Sequence, residues 1–408
     1  MNKISAISGN SGPKVRSDCE ICLELKDEGG VQFDLNSRVM ALYGESIKSQ
    51  CREILEAFGI SDALLRINDS GALPFVIAAR LESAIKQLTD SKLEYLPPFR
   101  GNGKNATEHD RFRFSRLYIP GNTPGLMINA GLHSADGIIL DLEDSVSPDK
   151  KDEARILVRN ALRQIDFGGS ERMVRINQGE RGIRDLECVV PQNVNLILVP
   201  KCEDPESIKA LAEKISEIRT EHLLVNPVWL MPIIETALGV ERAFEIAGAS
   251  PYIVAMAIGL EDLTADLGVS RTLEGLESLY ARSRIINASK ARGIQPIDSV
   301  FSDVSDMEAL KKNVSISKSL GFEGMGCIHP RQVAVVRQGF APSHEEIEKA
   351  RRVVVAFARA EKEGLGVVSL GTKMVDAPVV THAHRTISLA VSLGLLTQDW
   401  MHESLSEE

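Results

Sequence analysis

No run of apolar residues in this chain of 408 is long enough to span a bilayer, so a membrane-embedded class is not expected. The first ten residues, Met1 to Asn10, are polar and lack the apolar core of a secretory signal, which makes a cytoplasmic location the expectation. Positive charge is in deficit. Lys and Arg number 47 against 57 Asp and Glu, and the net charge of -10 argues against a nucleic-acid surface. An anionic substrate stays open, because local Arg and Lys can line a site on an acidic protein. Cysteine is scarce and scattered, with 6 in all. Cys19 and Cys22 form a C-x-x-C, but they fall in an apparent strand, where residues three apart face opposite sides, and no second pair completes a zinc set.

What the chain does have is a core's worth of apolar residues. They make up 43%, with 25% charged, the balance of a packed protein rather than a disordered one. The length fits one large barrel plus a small module. Asp18 to Leu25 and Val31 to Leu35 alternate like two strands around the turn Asp27-Glu28-Gly29-Gly30. Ser37 to Phe58 carries the stripe of an amphipathic helix, Ala63 to Asn68 reads as a short strand, and Ala72 to Leu88 as a further strand or helix. This is a small α+β domain over residues 1–95. The Pro- and Gly-rich stretch from Pro97 to Asn105 marks a linker, placed at 96–112.

Strand and helix then alternate. The strand candidates are Arg116–Pro120, Gly137–Leu142, Met173–Ile176, Leu196–Pro200, Val228–Ile234, Ile253–Leu260, Gln295–Val300 and Gly324–Ile328. Most are continuous apolar runs, as buried parallel strands require. Helical stretches such as Lys151–Ile165, Asp204–Ile218 and Leu273–Arg292 separate them. Eight such units predict an α/β fold, a (β/α)8 TIM barrel over residues 113–340, with an open doubly wound sheet as the alternative. A long helix from Ser343 to Glu363, a Gly-bearing segment from Gly364 to Pro378 and another helix follow. This extension, 341–408, is surplus to a barrel and is expected to be a lid or an oligomer contact.

Residues at the C-terminal ends of barrel strands share one mouth, so the strand ends carry the chemistry. Glu235 follows the apolar run Val228–Ile234, and Asp262 follows the next, Ile253–Glu261. Two carboxylates one strand apart suit a hard cation, since Mg²⁺ takes one or two protein carboxylates and keeps room for substrate oxygens. Arg175 closes the third strand and can clamp a carboxylate. Asp141, Glu143 and Asp144 close the second. Three acids so close repel one another unless a cation or Arg offsets them, and two of them can hold waters bound to an ion. Lys201 closes the fourth. It is read as balancing charge or binding substrate, with a Schiff-base nucleophile as the rival, disfavoured because the neighbouring acids keep it protonated. Pro120 and Gly121 begin a turn into a helix whose free amides are candidates for an anion. His329, His382 and His384 are read as structural.

Taken together and in order, these motifs resemble the citrate lyase β-subunit family, which also contains malyl-CoA and citramalyl-CoA lyases. The matching stretches are Leu117–Gly121, Gly137–Val146, Val174–Asn177, Pro200-Lys201, Ile234–Thr236, Gly259–Leu263, Pro296–Asp298 and Cys327–Pro330. The resemblance implies Mg²⁺ held by Glu235 and Asp262, and Arg175 as a catalytic residue. It also implies a C-terminal lid, Lys373-Met374-Val375-Asp376-Ala377-Pro378, that delivers Asp376 as a base into a neighbouring subunit. A homo-oligomer, trimer or hexamer, follows from that. Relatives carry Arg-Arg-Ser before the first strand, where this chain has Arg113-Phe114-Ser115. The N-terminal domain resembles the citrate lyase γ-subunit, an acyl carrier protein, through Asp69–Leu73, Ala79-Arg80-Leu81, Ser37-Arg38-Val39 and Tyr43-Gly44. In that subunit a Ser bears a phosphoribosyl-dephospho-CoA arm. The matching slot holds Arg16, and Ser17 stands one place later.

The implied reaction is Mg²⁺-dependent C–C cleavage of a 3-hydroxyacyl thioester: citryl-acyl carrier or citryl-CoA to oxaloacetate and an acetyl thioester. Citramalyl-CoA and malyl-CoA are the alternatives, and an α-type transferase subunit is a possible partner. A non-catalytic carrier or scaffold subunit is the reading of another class.

Overall fold

The structure, a computed structural model, describes residues 4–100, 106–362, 368–370 and 373–401. Part of the expected linker (101–105), the last residue of the expected helix (363) and parts of the Gly364–Pro378 segment (364–367 and 371–372) lie outside the described residues. The chain forms two compact units, Met1–Ala334 and Val335–Glu408.

The first unit begins with a four-stranded sheet: β1 (Ser5–Gly9), β2 (Cys19–Leu25), β3 (Val31–Ser37) and β4 (Ala63–Asp69), in the order β1-β2-β4-β3. The expected hairpin is not made. β2 and β3 both pair with β4, one antiparallel and one parallel, so β4 lies between them. β3 continues into helix α1 (Met40–Ala57), and it is this crossover that lets β3 run parallel to β4. The segment after β4 is helical, α2 (Pro74–Leu88), with Pro at its first turn. Ile21, Leu23, Ile54, Leu55, Leu65, Ile67, Leu81 and Ile85 bury a core of their own.

All eight barrel strands form: β5 (Ser115–Pro120), β6 (Gly137–Asp141), β7 (Glu171–Arg175), β8 (Leu196–Val199), β9 (Trp229–Ile234), β10 (Ala255–Ile258), β11 (Gln295–Ile297) and β12 (Met325–Cys327). Each is parallel to its neighbour, β12 closes onto β5, and a bridge from Asp298 to Met325 shuts the ring. This is a closed (β/α)8 barrel, not an open sheet. Among the helices that follow its strands are α3 (Pro124–Met127), α4 (Lys151–Gln164), α5 (Gly179–Val189), α6 (Pro205–Glu221), α7 (Ala237–Glu241), α8 (Ala243–Ala247), α9 (Leu260–Asp266), α10 (Leu279–Arg292), α11 (Met307–Leu320) and α12 (Pro330–Phe340). Ile139, Met173, Leu198, Met231 and Ile297 fill the barrel interior.

Small sheet and barrel are held together by charge as well as by packing. Arg80 of α2 is fully buried and makes five hydrogen bonds: two to Asp18, one to Glu153 of α4, and two to Asn122 in the turn after β5. That is the full donor count of a guanidinium. Arg159 of α4 reaches back to Glu82 of α2 at 2.6 and 2.9 Å and to Glu94 at 2.9 Å.

The second unit contains α13 (His344–Lys362), a short hairpin of β13 (Val368–Leu370) with β14 (Lys373–Val375), and α14 (Ala377–Ser392). Val353, Val354, Val380, Ile387 and Trp400 form its core. Among the described residues no helix is long and apolar enough to cross a membrane.

Candidate active site

β9 runs out at Ile234, so Glu235 is the first residue past its buried stretch. Its side chain is 2% exposed, and Oε1 accepts the Lys201 N–H at 2.7 Å. The setting of Asp262 differs from the expectation. β10 stops at Ile258, the backbone turns at Gly259, and Asp262 stands in the first turn of α9 rather than at a strand end. Both carboxylates nevertheless line one cavity of about 420 Å³. Gly259 is what lets them approach. A Cβ there would stand 2.5 Å from Glu235 Oε2, so a larger residue would push the carboxylate away from α9.

Asp141 and Arg175 end the adjacent strands β6 and β7 and are register partners. They form a fork, with Nε to Oδ1 and Nη2 to Oδ2 both 2.7 Å. Nη1 of Arg175 lies 3.0 Å from Glu143 and 3.5 Å from Asp144, and the guanidinium sits over the Tyr118 ring. Arg175 is thus engaged by three acids. To clamp a ligand it would exchange the single contacts to Glu143 or Asp144, not the fork. Lys201, at φ +48, places its ammonium 3.2 Å from Glu143, 3.6 Å from Asp144 and 3.9 Å from Asp262.

Five carboxylates therefore meet two cations. Burial, then Asp262 and Glu143, push the Glu235 carboxyl up to about 7, although the Lys201 amide and Arg175 pull it down. Burial also raises Glu143, while the fork to Arg175 overcomes burial and holds Asp141 below the usual carboxylate range. Burial would lower Lys201, but Glu143 and Asp144 outweigh it and keep the ammonium charged. A charged ammonium is a poor amine nucleophile.

The other predicted residues fare differently. Pro120 lines the cavity, whereas the Gly121 amide is consumed by Asp141 O at 2.8 Å and the Thr123 amide by Pro120 O at 3.2 Å. The turn offers neither to an anion. Ser17 adopts φ +55 and donates its amide to Ser70 O. The preceding carbonyl, Arg16 O, packs against Gly125 of α3, which puts this loop beside the barrel's first turn. Asp376 is the N-cap of α14, accepting the Val379 amide at 3.3 Å, in the second unit. His382 and His384 fall within the same helix. His329 Nδ1 accepts the Arg331 amide. Arg113 is buried in a fork with Glu171, away from the cavity lining.

Three charged residues of the cavity escaped the sequence reading: Glu261 and Asp298, which are paired with Arg271 and Arg282, and Arg116. Arg116 lines it together with Tyr118 and Pro120. The signal was there: positions two apart on a strand share a face, so the residue in register with Tyr118 and Pro120 faces the interior. Among the described residues, no cluster of three or more His, Cys, Asp or Glu is placed to hold a metal without other ligands. A cation here would rest on two carboxylates and complete its shell with substrate oxygens and water.

Residues 115–330 match the family model described as HpcH/HpaI aldolase/citrate lyase. The chain belongs to that family. Residues 8–88 match the carrier-protein model described as malonate decarboxylase delta subunit, so the N-terminal domain is carrier-like. The citrate lyase subunit beta of Leuconostoc mesenteroides subsp. cremoris is 38% identical over 285 residues, 69% of this chain and 94% of the relative. The mitochondrial citramalyl-CoA lyase of Homo sapiens is 33% identical over 305 residues, 71% and 90% of the two chains. Among solved structures, CitE of Mycobacterium tuberculosis in complex with magnesium, acetoacetate and coenzyme A is 33% identical with a TM-score of 0.57, covering 68% of this chain and 98% of that one. Family membership makes this barrel a carbon–carbon lyase.

Proposed function

We propose that the barrel cleaves a 3-hydroxy-3-carboxyacyl thioester, citryl first among candidates, to an oxo acid and an acetyl thioester, with Mg²⁺ held by Glu235 and Asp262. Citramalyl- and malyl-CoA are the alternatives. The observation that carries the reading is the surplus of acid: Asp141, Asp144, Glu235 and Asp262 line the cavity and Glu143 stands beside them, five carboxylates against Arg175 and Lys201 at the mouth and Arg116 deeper in. An all-oxygen donor set with uncompensated negative charge fits a hard divalent cation. The solved CitE with magnesium and coenzyme A supports the same pairing of metal and thioester. Mg²⁺, when bound, supplies Lewis acidity that lowers the pKa of a substrate hydroxyl.

The chain's own residues do the rest. Glu235, fixed by the Lys201 amide, keeps one oxygen toward the cavity beside Gly259. Arg175 and Lys201 stabilise negative charge that builds on the departing thioester enolate, a contribution of roughly several kcal/mol. Asp141 holds Arg175 in its fork, and Glu143 and Asp144 orient Lys201 and any waters at the rim. Pro120 shapes the wall. Asp376 is the proposed base that takes the hydroxyl proton, delivered from a second copy in a trimer or hexamer. The proposed division of labour is residues 1–95 as carrier-like module, 96–112 as linker, 113–340 as lyase and 341–408 as lid. The thioester sits on CoA or on an arm at Ser17, and an α-type transferase subunit would be the partner that loads it.

The test is direct. The pure protein is incubated with Mg²⁺ and citryl-, citramalyl- or malyl-CoA, and oxo-acid release is followed. Cleavage that EDTA abolishes supports the reading; no cleavage of any, with or without a transferase subunit, favours a scaffold. Intact mass of protein from its native host decides whether Ser17 bears an arm.

A further inference from the structure

Resting on the lyase reading of this cavity, we propose that Arg116 binds a second carboxylate on the oxo-acid half of the substrate, so that the site favours a thioester whose cleavage releases a dicarboxylic oxo acid over one that releases a monocarboxylic one. Four arginines are among the largest fully buried side chains: Arg80, Arg113, Arg116 and Arg159. Three have buried carboxylates at hydrogen-bond distance, namely Asp18 and Glu153, Glu171, and Glu82. Arg116 is the exception. It is 1% exposed, its Nε has no hydrogen-bond partner, and its Nη1 meets only the Met231 sulfur at 3.0 Å. Among the described residues no carboxylate lies within ion-pair distance of it. Desolvating a guanidinium without a counter-charge is costly, and an anionic ligand would offset that cost.

The barrel is also shaped around this side chain. Arg116 is flanked in register by glycine on both sides, Gly326 of β12 and Gly137 of β6. A Cβ at Gly137 would lie 3.5 Å from Arg116 Cγ, and one at Gly326 would stand 2.6 Å from Val300 Cγ1 and 3.2 Å from the Tyr118 ring. Gly326 lines the cavity and leaves its deep end open beside Tyr118, while Gly137 makes room for Met173, which a Cβ there would strike. Met231, its contact, is four residues below Glu235 on β9 across the barrel, about 13 Å of strand rise. Arg116 and the two carboxylates line the same cavity, so a dicarboxylate held at Glu235 and Asp262 by one end would extend toward the guanidinium with the other. A metal-side carboxylate and hydroxyl at the rim would leave the far carboxylate facing Arg116. Arg175 does not serve as well, because Asp141 and Glu143 already occupy it.

Calorimetric titration with Mg²⁺ present measures oxaloacetate and pyruvate binding to the full chain and to Arg116→Met and Arg116→Lys. The wild type is expected to bind oxaloacetate about 30-fold more tightly than pyruvate, the worth of one charged hydrogen-bonded contact. Arg116→Met erases that preference while leaving pyruvate affinity essentially unchanged, and Arg116→Lys keeps part of it. No preference in the wild type overturns the proposal. So does an equal loss for both acids in Arg116→Met, or a preference that survives it. If Arg116→Met does not fold, the wild-type ratio and Arg116→Lys decide: a lysine variant with the full wild-type preference contradicts recognition by the guanidinium. Failure of the lyase reading shows up separately, as an intact oxaloacetate preference in a protein that cleaves no thioester.

Discussion

Two clusters of arginine and carboxylate lie in the first unit, and they differ in one respect. At the junction between small sheet and barrel, Arg80 and Arg159 spend their donors on Asp18, Glu153, Glu82, Glu94 and nearby amide oxygens, Lys86 and Lys150 pair with Glu82 and Glu153, and four cations close on four carboxylates. At the barrel mouth, Arg175 and Lys201 face Asp141, Glu143, Asp144, Glu235 and Asp262, and acid is left over. Both regions are rich in ion pairs. At the mouth, burial and the neighbouring acids raise the Glu235 carboxyl to about 7. A closed network specifies how parts fit, whereas an open one reserves a place for a cation. Counting salt bridges alone would not have separated them.

The comparison breaks most sharply at Glu235. Glu235→Gln keeps the shape and removes the charge. Activity on the cleaved thioester is expected to fall by more than about 100-fold, since even groups that only orient metal ligands are worth 10–100-fold. Melting temperature in metal-free buffer at neutral pH stays level or rises. At the junction the same kind of change does the opposite. Arg80→Met removes the buried guanidinium shared by Asp18 and Glu153 and is expected to cost about 3–5 kcal/mol in denaturant unfolding, while kcat per folded molecule changes little.

Acidity sharpens the contrast further. The Glu235 carboxyl stands at 4.5 unperturbed and about 7 in the fold. Between those values the folded state keeps a proton that the unfolded chain has lost, so stability contributed below pH 4.5 is lost as pH rises through 7. Metal-free wild type should therefore lose roughly 2–3 kcal/mol relative to Glu235→Gln across that window, read from melting curves at successive pH. A flat difference contradicts the assignment of burial and neighbouring acids as the cause. The smallest expected effect is at Lys201. Borohydride treatment with an oxo acid should trap no imine, because Glu143 and Asp144 keep the amine charged. A mass adduct at Lys201 would revive the Schiff-base reading.

Much of this was legible beforehand, for a physical reason. Buried parallel strands are apolar on both faces, so all eight announced themselves as runs, and their ends located Glu235, Arg175, Asp141 and Lys201. Pairing order was not legible. The hairpin expected between residues 18 and 35 failed because β4, some thirty residues later, takes the place between the two strands, and nothing local encodes that partner. Asp262 was placed one element early, since Gly259 ends the strand inside an unbroken apolar run. The turn at Gly121 looked open to an anion, but its amide is spent on the neighbouring strand. Arg116 stands at the start of its strand, far from the strand ends, and only its alternation with Tyr118 and Pro120 marks it as facing the cavity.

The central claim is that Glu235 and Asp262 share one divalent ion. Titration of the chain with Mn²⁺ as a paramagnetic stand-in, followed by EPR, tests it most directly. One site per chain is expected, displaced by Mg²⁺ and lost in both Glu235→Gln and Asp262→Asn. A site of unchanged affinity in the double variant Glu235→Gln/Asp262→Asn would contradict it.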